Sequence, residues 1–260
     1  MTYPSPPSRP ESATPPAVPA GTAPPQYSAD GRWYWDGQQW RPVTAQAPTW
    51  SVPYAPPDAR ATASVTLVGL TTAGLALFLL SEGLGLIAHG SVVDTVVSLA
   101  QGLAFLVSLA GFVGAAIAVP MWMHRCYRNL PALGATALHW SPAWAVAAWF
   151  IPVANLVLPY MVACELWAKA GGRVVRSGPQ LALWWSACIV TVVINLVGNF
   201  HANFQADNVQ TTVAPGAGAS ALFNSLAAMS AVTAGGLLIT IIQRITRRQR
   251  DRYAELLGGT

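Results

Sequence analysis

The amino-acid sequence predicts an all-α integral membrane protein with four transmembrane helices and a proline-broken, re-entrant helical hairpin. A disordered, proline-rich tail with a small β-hairpin precedes them. Of the 260 residues, 53% are hydrophobic and only 9% are charged, whereas a soluble domain carries about 25% charged residues. Fourteen of the 21 prolines fall within residues 1–60. The chain therefore divides into a proline-rich tail and an apolar membrane body.

The tail has the composition of a disordered segment, because its paired prolines favour extended polyproline conformations. One island, residues 30–42, contains Asp36-Gly37, which is a two-residue hairpin signal since a type I′ turn needs positive φ at both central positions. A turn there places Trp33 opposite Trp40. We expect either a partly ordered hairpin or an aromatic docking module for a cytoplasmic protein partner. The candidate docking residues are Trp33, Trp35 and Trp40.

Four segments are long and apolar enough to cross the hydrocarbon core, which requires about 20 largely apolar residues in a helix. They are residues 63–88, 93–123, 181–200 and 218–243. Together with a broken segment at residues 140–168 they form a predicted membrane domain over residues 61–253. Residues 254–260 are expected to be a flexible C-terminus.

The broken segment is long enough to cross but contains Pro152 and Pro159. Each proline removes an amide donor and clashes with the preceding turn, and freed backbone is tolerated at membrane depth only where protein or water satisfies it. If the segment returns to its own side, all 14 Lys and Arg residues lie on one side. Cytoplasmic loops carry an excess of these residues. We therefore expect a re-entrant segment, with both termini on the cytoplasmic side of the cell membrane.

Small residues at four-residue spacing predict close helix contacts, since lipid tails offer no hydrophobic driving force between helices. The two stripes are Ala110, Gly114 and Ala118 in the second span, and Ala227, Ala231 and Gly235 in the last. They suit packing within one chain, with a homo-oligomer as the alternative.

The broken segment carries the candidate functional residues. Glu165 is an acid in an apolar segment, and such acids are costly and often functional. The competing interpretation is a structural ion pair with Arg125 or Arg128. Asn155, between the two prolines, is expected to cap the second half of the segment or to contact a substrate.

Several function classes lack a sequence signal. The residues His124, Cys126, His139 and Cys164 match no zinc-site spacing, and neither a phosphate loop nor a catalytic elbow occurs. Three cysteines without paired spacing argue against a disulfide framework. The arginines flank apolar runs and form no single patch, so the net charge of +4 indicates membrane orientation and not nucleic-acid binding. We expect no enzymatic activity, no metal and no cofactor.

Three motifs between the second and third long spans follow a known pattern. They are HRCYRNLPALG at residues 124–134, WFIPVANL at residues 149–156 and ELW at residues 165–167. Over roughly residues 65–252 the chain resembles domain of unknown function 4328, a bacterial membrane family common in actinobacteria. The resemblance implies that the broken segment is the central feature, but it implies no particular activity. The tryptophan island similarly resembles short W-x-W-D-G-x-x-W modules that precede membrane segments in actinobacterial proteins.

These features predict a non-enzymatic membrane interaction, scaffold or sensory component. Its re-entrant segment and basic inner face would engage a partner, a ligand or the anionic lipids of the bilayer, since basic residues near such lipids gain about 1 kcal/mol each, and its tail would engage a cytoplasmic protein. The alternative is a small oligomeric transporter or channel, because broken helices line transport sites in many carriers. The small number of spans and the scarcity of charge within them argue against transport.

Overall fold

The structure, a computed structural model, describes residues 26–28, 33–35, 40–42, 53–171, 178–208 and 217–258. Most of the predicted disordered tail and the Asp36-Gly37 turn lie outside the described residues. The chain forms two compact units, residues 1–50 and residues 51–260.

The first unit contains three short antiparallel strands in the order β1-β2-β3. They are β1 (Gln26–Tyr27), β2 (Trp33–Trp35) and β3 (Trp40–Pro42). Trp35 lies opposite Trp40, with ring centroids 5.7 Å apart, so the predicted pairing of Trp33 with Trp40 is wrong. Four residues, and not two, separate the strands. A shift of one strand by two residues against the other keeps every side chain on the same face of the sheet. The alternation of tryptophans along the strands therefore could not distinguish the two pairings.

Within the described residues, the second unit contains six α-helices. They are α1 (Asp58–Ile87), α2 (Ser91–Asn129), α3 (Trp144–Ala147), α4 (Leu158–Lys169), α5 (Pro179–Asn208) and α6 (Ala217–Gly258). Four of them, α1, α2, α5 and α6, are long and apolar enough to cross a membrane. Large apolar side chains cover their outer surfaces: Leu86 is 79% exposed and Leu99 is 69% exposed. The predicted set of four apolar helices is therefore present.

The long helices continue past the apolar runs that predicted them. The 42 residues of α6 span about 63 Å, roughly twice the thickness of the hydrocarbon core. Residues 254–258, expected to be flexible, belong to this helix. The prediction ended α6 at residue 243 because the apolar run ends there, but helical hydrogen bonds do not require apolar side chains.

The four long helices pack in the order α2-α1-α6-α5. Arg60, near the start of α1, donates from Nη1 to the carbonyl oxygen of Met121 near the end of α2 (3.0 Å). Asp58 Oδ1 lies 3.7 Å from Nη1 of Arg250 near the end of α6. The start of α1 therefore lies beside the ends of both neighbours, and neighbouring helices are antiparallel.

Glycines provide the close contacts of α1. Gly114 of α2 faces the side chain of Leu67, and Gly235 of α6 faces Thr72. These members of the two predicted small-residue stripes make contacts within the chain, whereas Ala110 is exposed.

One end of the bundle holds the start of α1, the end of α2, the start of α5 and the end of α6. Every Lys and Arg of the second unit that the structure describes lies there, and we call it the basic end. These residues are Arg60, Arg125, Arg128, Lys169, Arg244, Arg247, Arg248, Arg250 and Arg252.

The segment between α2 and α5 leaves the basic end and returns to it. It breaks into α3, a 3₁₀ turn at Ala154–Leu156 and α4, so the predicted interruption is present. The 12 residues of α4 span about 18 Å, too little to cross about 30 Å of hydrocarbon. The backbone N of His139, before the segment, donates to Oε1 of Glu165 near its finish (2.9 Å). The two ends of the segment are therefore neighbours.

Residues 53–57, predicted to belong to the disordered tail, pack on the basic end. The backbone N of Ala55 donates to Oδ1 of Asn129 (3.2 Å), and Nδ2 of Asn129 donates to the carbonyl oxygen of Ala55 (2.8 Å). The ring of Tyr54 stacks on Tyr253 with centroids 4.0 Å apart. Proline-rich chain cannot form a core of its own, but it can pack on a surface that is already folded.

Gly111 permits the close approach of α2 to α1. A Cβ atom there would lie 2.5 Å from the backbone N of Thr71 and 2.9 Å from the carbonyl oxygen of Leu67. Because two backbones would have to separate, Gly111→Ala should lower the free energy of unfolding by about 1–3 kcal/mol, measured by thermal unfolding in detergent micelles. Gly102→Ala on the same helix meets nothing within 4 Å and should be neutral or slightly stabilising, since Ala is the better helix former. Equal losses in both variants would contradict this packing.

Candidate functional site

The carboxylate of Glu165 joins three parts of the chain at the basic end, and its side chain is only 9% exposed. Oε2 accepts a hydrogen bond from Oη of Tyr127 on α2 (2.6 Å). Oε1 accepts from the backbone N of His139 (2.9 Å) and from Nζ of Lys169 (2.8 Å), and it lies 3.2 Å from Nδ1 of His139. We call these four residues the Glu165 clasp.

Helical spacing forms one half of the clasp. Glu165 and Lys169 are four residues apart on α4, so one turn places the ammonium beside the carboxylate. Lys169 also donates to the carbonyl oxygens of Thr136 (3.2 Å) and Ala137 (2.5 Å). Ala137 has φ of +52°, a left-handed conformation that costs energy in a residue other than glycine. The clasp therefore holds a strained loop against α4.

The clasp keeps Glu165 ionised. Burial alone would raise the pKa of this carboxyl, but the hydrogen bonds from the other three members outweigh burial and lower the pKa from 4.5 to about 2. A general acid or base works best with a pKa near the operating pH. The environment of Glu165 thus suits a permanent structural charge.

Three arginines on α6 fasten the chain that runs from α2 into α5. They recur every four residues and so share one face of the helix. Their acceptors are Gln180 Oε1 for Arg244 (2.8 Å), the Trp167 carbonyl for Arg248 (2.7 Å) and the Leu133 carbonyl for Arg252 (3.5 Å).

Arg248 makes two contacts with the end of α4. Its guanidinium carbon lies 5.6 Å from the ring centroid of Trp167, a cation–π distance. The carbonyl that it binds belongs to the last turn of α4, where carbonyls lack helical partners and attract cations. Arg248 therefore caps α4 and anchors it to α6.

Buried polar side chains join the ends of α2 and α6. Gln249 is fully buried and Asn129 is 1% exposed. Nε2 of Gln249 donates to the carbonyl oxygen of Cys126 (2.8 Å), and Nδ2 of Asn129 donates to Oε1 of Gln249 (3.3 Å). One turn further into the bundle, Nε1 of Trp122 donates to Oγ1 of Thr246 (3.0 Å). The basic end is thus a packed, hydrogen-bonded layer.

The predicted pairing of Glu165 with Arg125 or Arg128 is wrong, because its partners are the other members of the clasp. Tyr127 is the α2 residue that donates to Glu165, and at about 100° per residue Arg125 and Arg128 point in other directions around the helix. Among the described residues, neither Arg125 nor Arg128 makes a hydrogen bond or ion pair; Arg125 is partly exposed and Arg128 is exposed.

Asn155 does not cap α4, contrary to the prediction. It lies exposed in the 3₁₀ turn at Ala154–Leu156, whereas the N-cap position of α4 is Val157, which makes no side-chain capping bond. The position of the break follows from the prolines, but the first residue of α4 depends on how the turn packs. Nε1 of Trp185 on α5 donates to the carbonyl oxygen of Leu156 (3.0 Å) and holds the turn in place.

The break between α3 and α4 presents an apolar tip. Val153 is 81% exposed and has φ of +65°, a strained conformation for a β-branched residue. The exposed apolar side chains of the tip are Phe150, Ile151, Val153, Leu156 and Val157. Such a tip suits hydrocarbon better than water.

The other predicted features occupy separate places. In the parts of the chain that the structure describes, no three His, Cys, Asp or Glu side chains come together as metal ligands. Of the three candidate docking residues, Trp35 and Trp40 form the pair in the first unit, and the side chain of Trp33 lies outside the described residues. Only part of the Glu165 clasp could be predicted from the sequence. The i, i+4 spacing of Glu165 and Lys169 indicates their pairing, but no sequence pattern indicates that Tyr127 contacts Glu165.

Four helices are long and apolar enough to cross a membrane, with an interrupted segment between the second and third, an arrangement typical of polytopic α-helical membrane proteins. The chain belongs to the family described as domain of unknown function (DUF4328), whose model matches residues 88–247. That match confirms the resemblance and contains α2, the broken segment, α5 and most of α6. Comparisons with curated proteins and with solved structures return no match.

Removal of the clasp charge should destabilise the protein in a pH-dependent way. Glu165→Gln should lower the free energy of unfolding by about 2 kcal/mol at pH 7, since hydrogen bonds to a charged group contribute about 1.5–3 kcal/mol. Because the folded pKa of about 2 lies below 4.5, the stabilisation is complete above pH 4.5 and is lost as the pH falls toward 2. The difference in Tm between wild type and variant should shrink over that interval.

Glu255→Gln is the matched control, because that carboxylate pairs with Arg252 at the surface (3.1 Å) and is 66% exposed. Exposed pairs contribute little, so its Tm should stay near that of wild type. A difference between wild type and Glu165→Gln that persisted unchanged from pH 7 to pH 2.5 would contradict the charged clasp.

Proposed function

We propose that this protein is a non-enzymatic membrane scaffold or sensory component whose basic end binds an acidic cytoplasmic partner. The observation that carries the proposal is the division of charged groups at that end. Glu165, Lys169 and Arg248 are engaged in holding the broken segment, whereas Arg125 and Arg128 make no hydrogen bond or ion pair within the described residues. A rigid layer that presents unpaired guanidinium groups suits recognition of carboxylates.

The distribution of Lys and Arg along the chain supports an orientation in the cell membrane. The connection between α1 and α2, residues 88–90, and the connection between α5 and α6, residues 209–216, contain no Lys or Arg, and cytoplasmic loops carry the excess of these residues. We therefore assign the basic end and both termini to the cytoplasm. The broken segment is re-entrant in this orientation, with its apolar tip in the inner leaflet.

The tail offers a second contact. The paired rings of Trp35 and Trp40 lie 5.7 Å apart, and aromatic side chains are enriched in the centres of protein interfaces. A cytoplasmic partner that bound both regions would gain from multivalency. A homo-oligomer is a further way to cover the exposed apolar face of α2.

An oligomeric transporter or channel is the second candidate. The exposed amide of Asn155, within the otherwise apolar tip, is the observation that favours it, since polar groups at interrupted helices line transport sites. Copies of the chain would have to supply the helices that surround such a path.

The two candidates differ in reconstituted and cellular behaviour. We expect proteoliposomes containing the protein to pass ions and small solutes no faster than empty liposomes.

We also expect one cytoplasmic protein to be cross-linked in cells to the end of α2. This cross-linking should fall at least about fivefold in the double variant Arg125→Gln/Arg128→Gln, because each charge near an acidic partner contributes about 1 kcal/mol.

Arg244→Gln controls for the loss of charge, since Arg244 lies on α6 and binds Gln180, and it should leave the cross-link intact. Flux above background that disappears in Asn155→Ala would overturn the scaffold and support the transporter. Equal cross-linking in the double variant and wild type would remove the basic end as the docking surface.

A further inference from the structure

A cleft of about 370 Å³ opens between α1 and α6 at the basic end. Polar and charged side chains from both helices line the cleft. They are Asp58, Thr62 and Thr66 on α1, and Gln243, Thr246, Arg247 and Arg250 on α6.

The cleft has an excess of positive charge. Arg250 lies 3.7 Å from Asp58, and the two side chains are 60% and 46% exposed. Arg247 is exposed and makes no hydrogen bond or ion pair among the described residues. The lining of the cleft therefore contains two guanidinium groups and one carboxylate, together with the hydroxyl groups of Thr62 and Thr66. This set of donors suits a phosphate oxygen.

The cleft lies at the border between the apolar and basic parts of the bundle. Gln243 is the last residue of the apolar run of α6, and Thr62 directly precedes that of α1. Arg247 follows one turn beyond Gln243. At this depth, arginine side chains reach the level of lipid headgroups.

Beyond the cleft, each of the two helices carries a glycine on its apolar part. Gly69 lies seven residues after Thr62 and Gly236 seven residues before Gln243, so two helical turns bring each to the face that carries the cleft. A Cβ atom added at either glycine would meet nothing within 4 Å. These two open positions lie at the depth of acyl chains, and we call the strip of helix surface that contains them the groove.

We propose that the cleft binds one anionic glycerophospholipid, whose phosphate contacts Arg247 and Arg250 and whose acyl chain occupies the groove at Gly69 and Gly236. A soluble phosphate would use the charges but not the groove. The inference deepens the proposed function and rests on it for orientation, because it makes the basic end recognise the inner leaflet as well as a protein.

Native mass spectrometry of the full chain in detergent, titrated with phosphatidylglycerol and with phosphatidylcholine, tests the charges. Phosphatidylglycerol should bind more tightly, and Arg247→Gln should weaken it about fivefold. Arg244→Gln removes the same charge from α6 but faces Gln180, so it should bind as wild type does. Equal weakening in both variants would show general attraction to the basic end and overturn the site.

The groove has its own test. Gly236→Leu should weaken phosphatidylglycerol binding about fivefold without any change of charge, because the side chain would fill the groove. Gly102→Leu makes the same change at an open position on α2 and should have no effect. Unchanged binding in Gly236→Leu, or displacement of the lipid by inorganic phosphate, would overturn the proposal. The assay contains no protein partner, so its failure is distinct from loss of the cross-link at Arg125 and Arg128.

Discussion

The carboxylate of Glu165 holds together the two ends of the broken segment between α2 and α5. It binds Tyr127 and His139 before the apolar segment and Lys169 after it, so both ends of the segment meet at one point. Since α5 must start where α2 stopped, the four long helices alternate in direction. The gathering of the basic residues at one end follows from that alternation.

The basic end is a structural layer and, in our proposal, also a binding surface. Arg244, Arg248 and Arg252 satisfy acceptors on neighbouring segments, while Arg125, Arg128 and Arg247 point outward. An excess of positive charge in the loops indicates the orientation of the protein in the membrane. It does not distinguish the arginines that bind neighbouring segments from the arginines that point outward. Only the contacts of each side chain show which arginines stabilise the fold and which remain for a lipid or a protein.

Much of the fold could be predicted from composition. Length and apolarity gave the four long helices, and Pro152 and Pro159 gave the interruption. Predictions failed where a remote part of the chain decides the outcome. Residues 53–57 are ordered because they contact Asn129 and Tyr253, which lie far away in the sequence. Glu165 likewise accepts a hydrogen bond from Tyr127, which lies 38 residues before it. The register of the tryptophan strands could not be derived, since two-residue slips preserve their faces.

In our proposal, the broken segment at residues 140–168 returns to the side of the membrane from which it came. The direct measurement is labelling of single cysteines by a membrane-impermeant thiol reagent in intact cells, in a background with the native cysteines replaced. Thr136→Cys and Gly178→Cys flank the segment, and His89→Cys marks the opposite end of the bundle. We expect the first two cysteines to be shielded and His89→Cys to be labelled. Labelling of Gly178→Cys while Thr136→Cys stays shielded would show a fifth crossing and contradict the re-entrant segment.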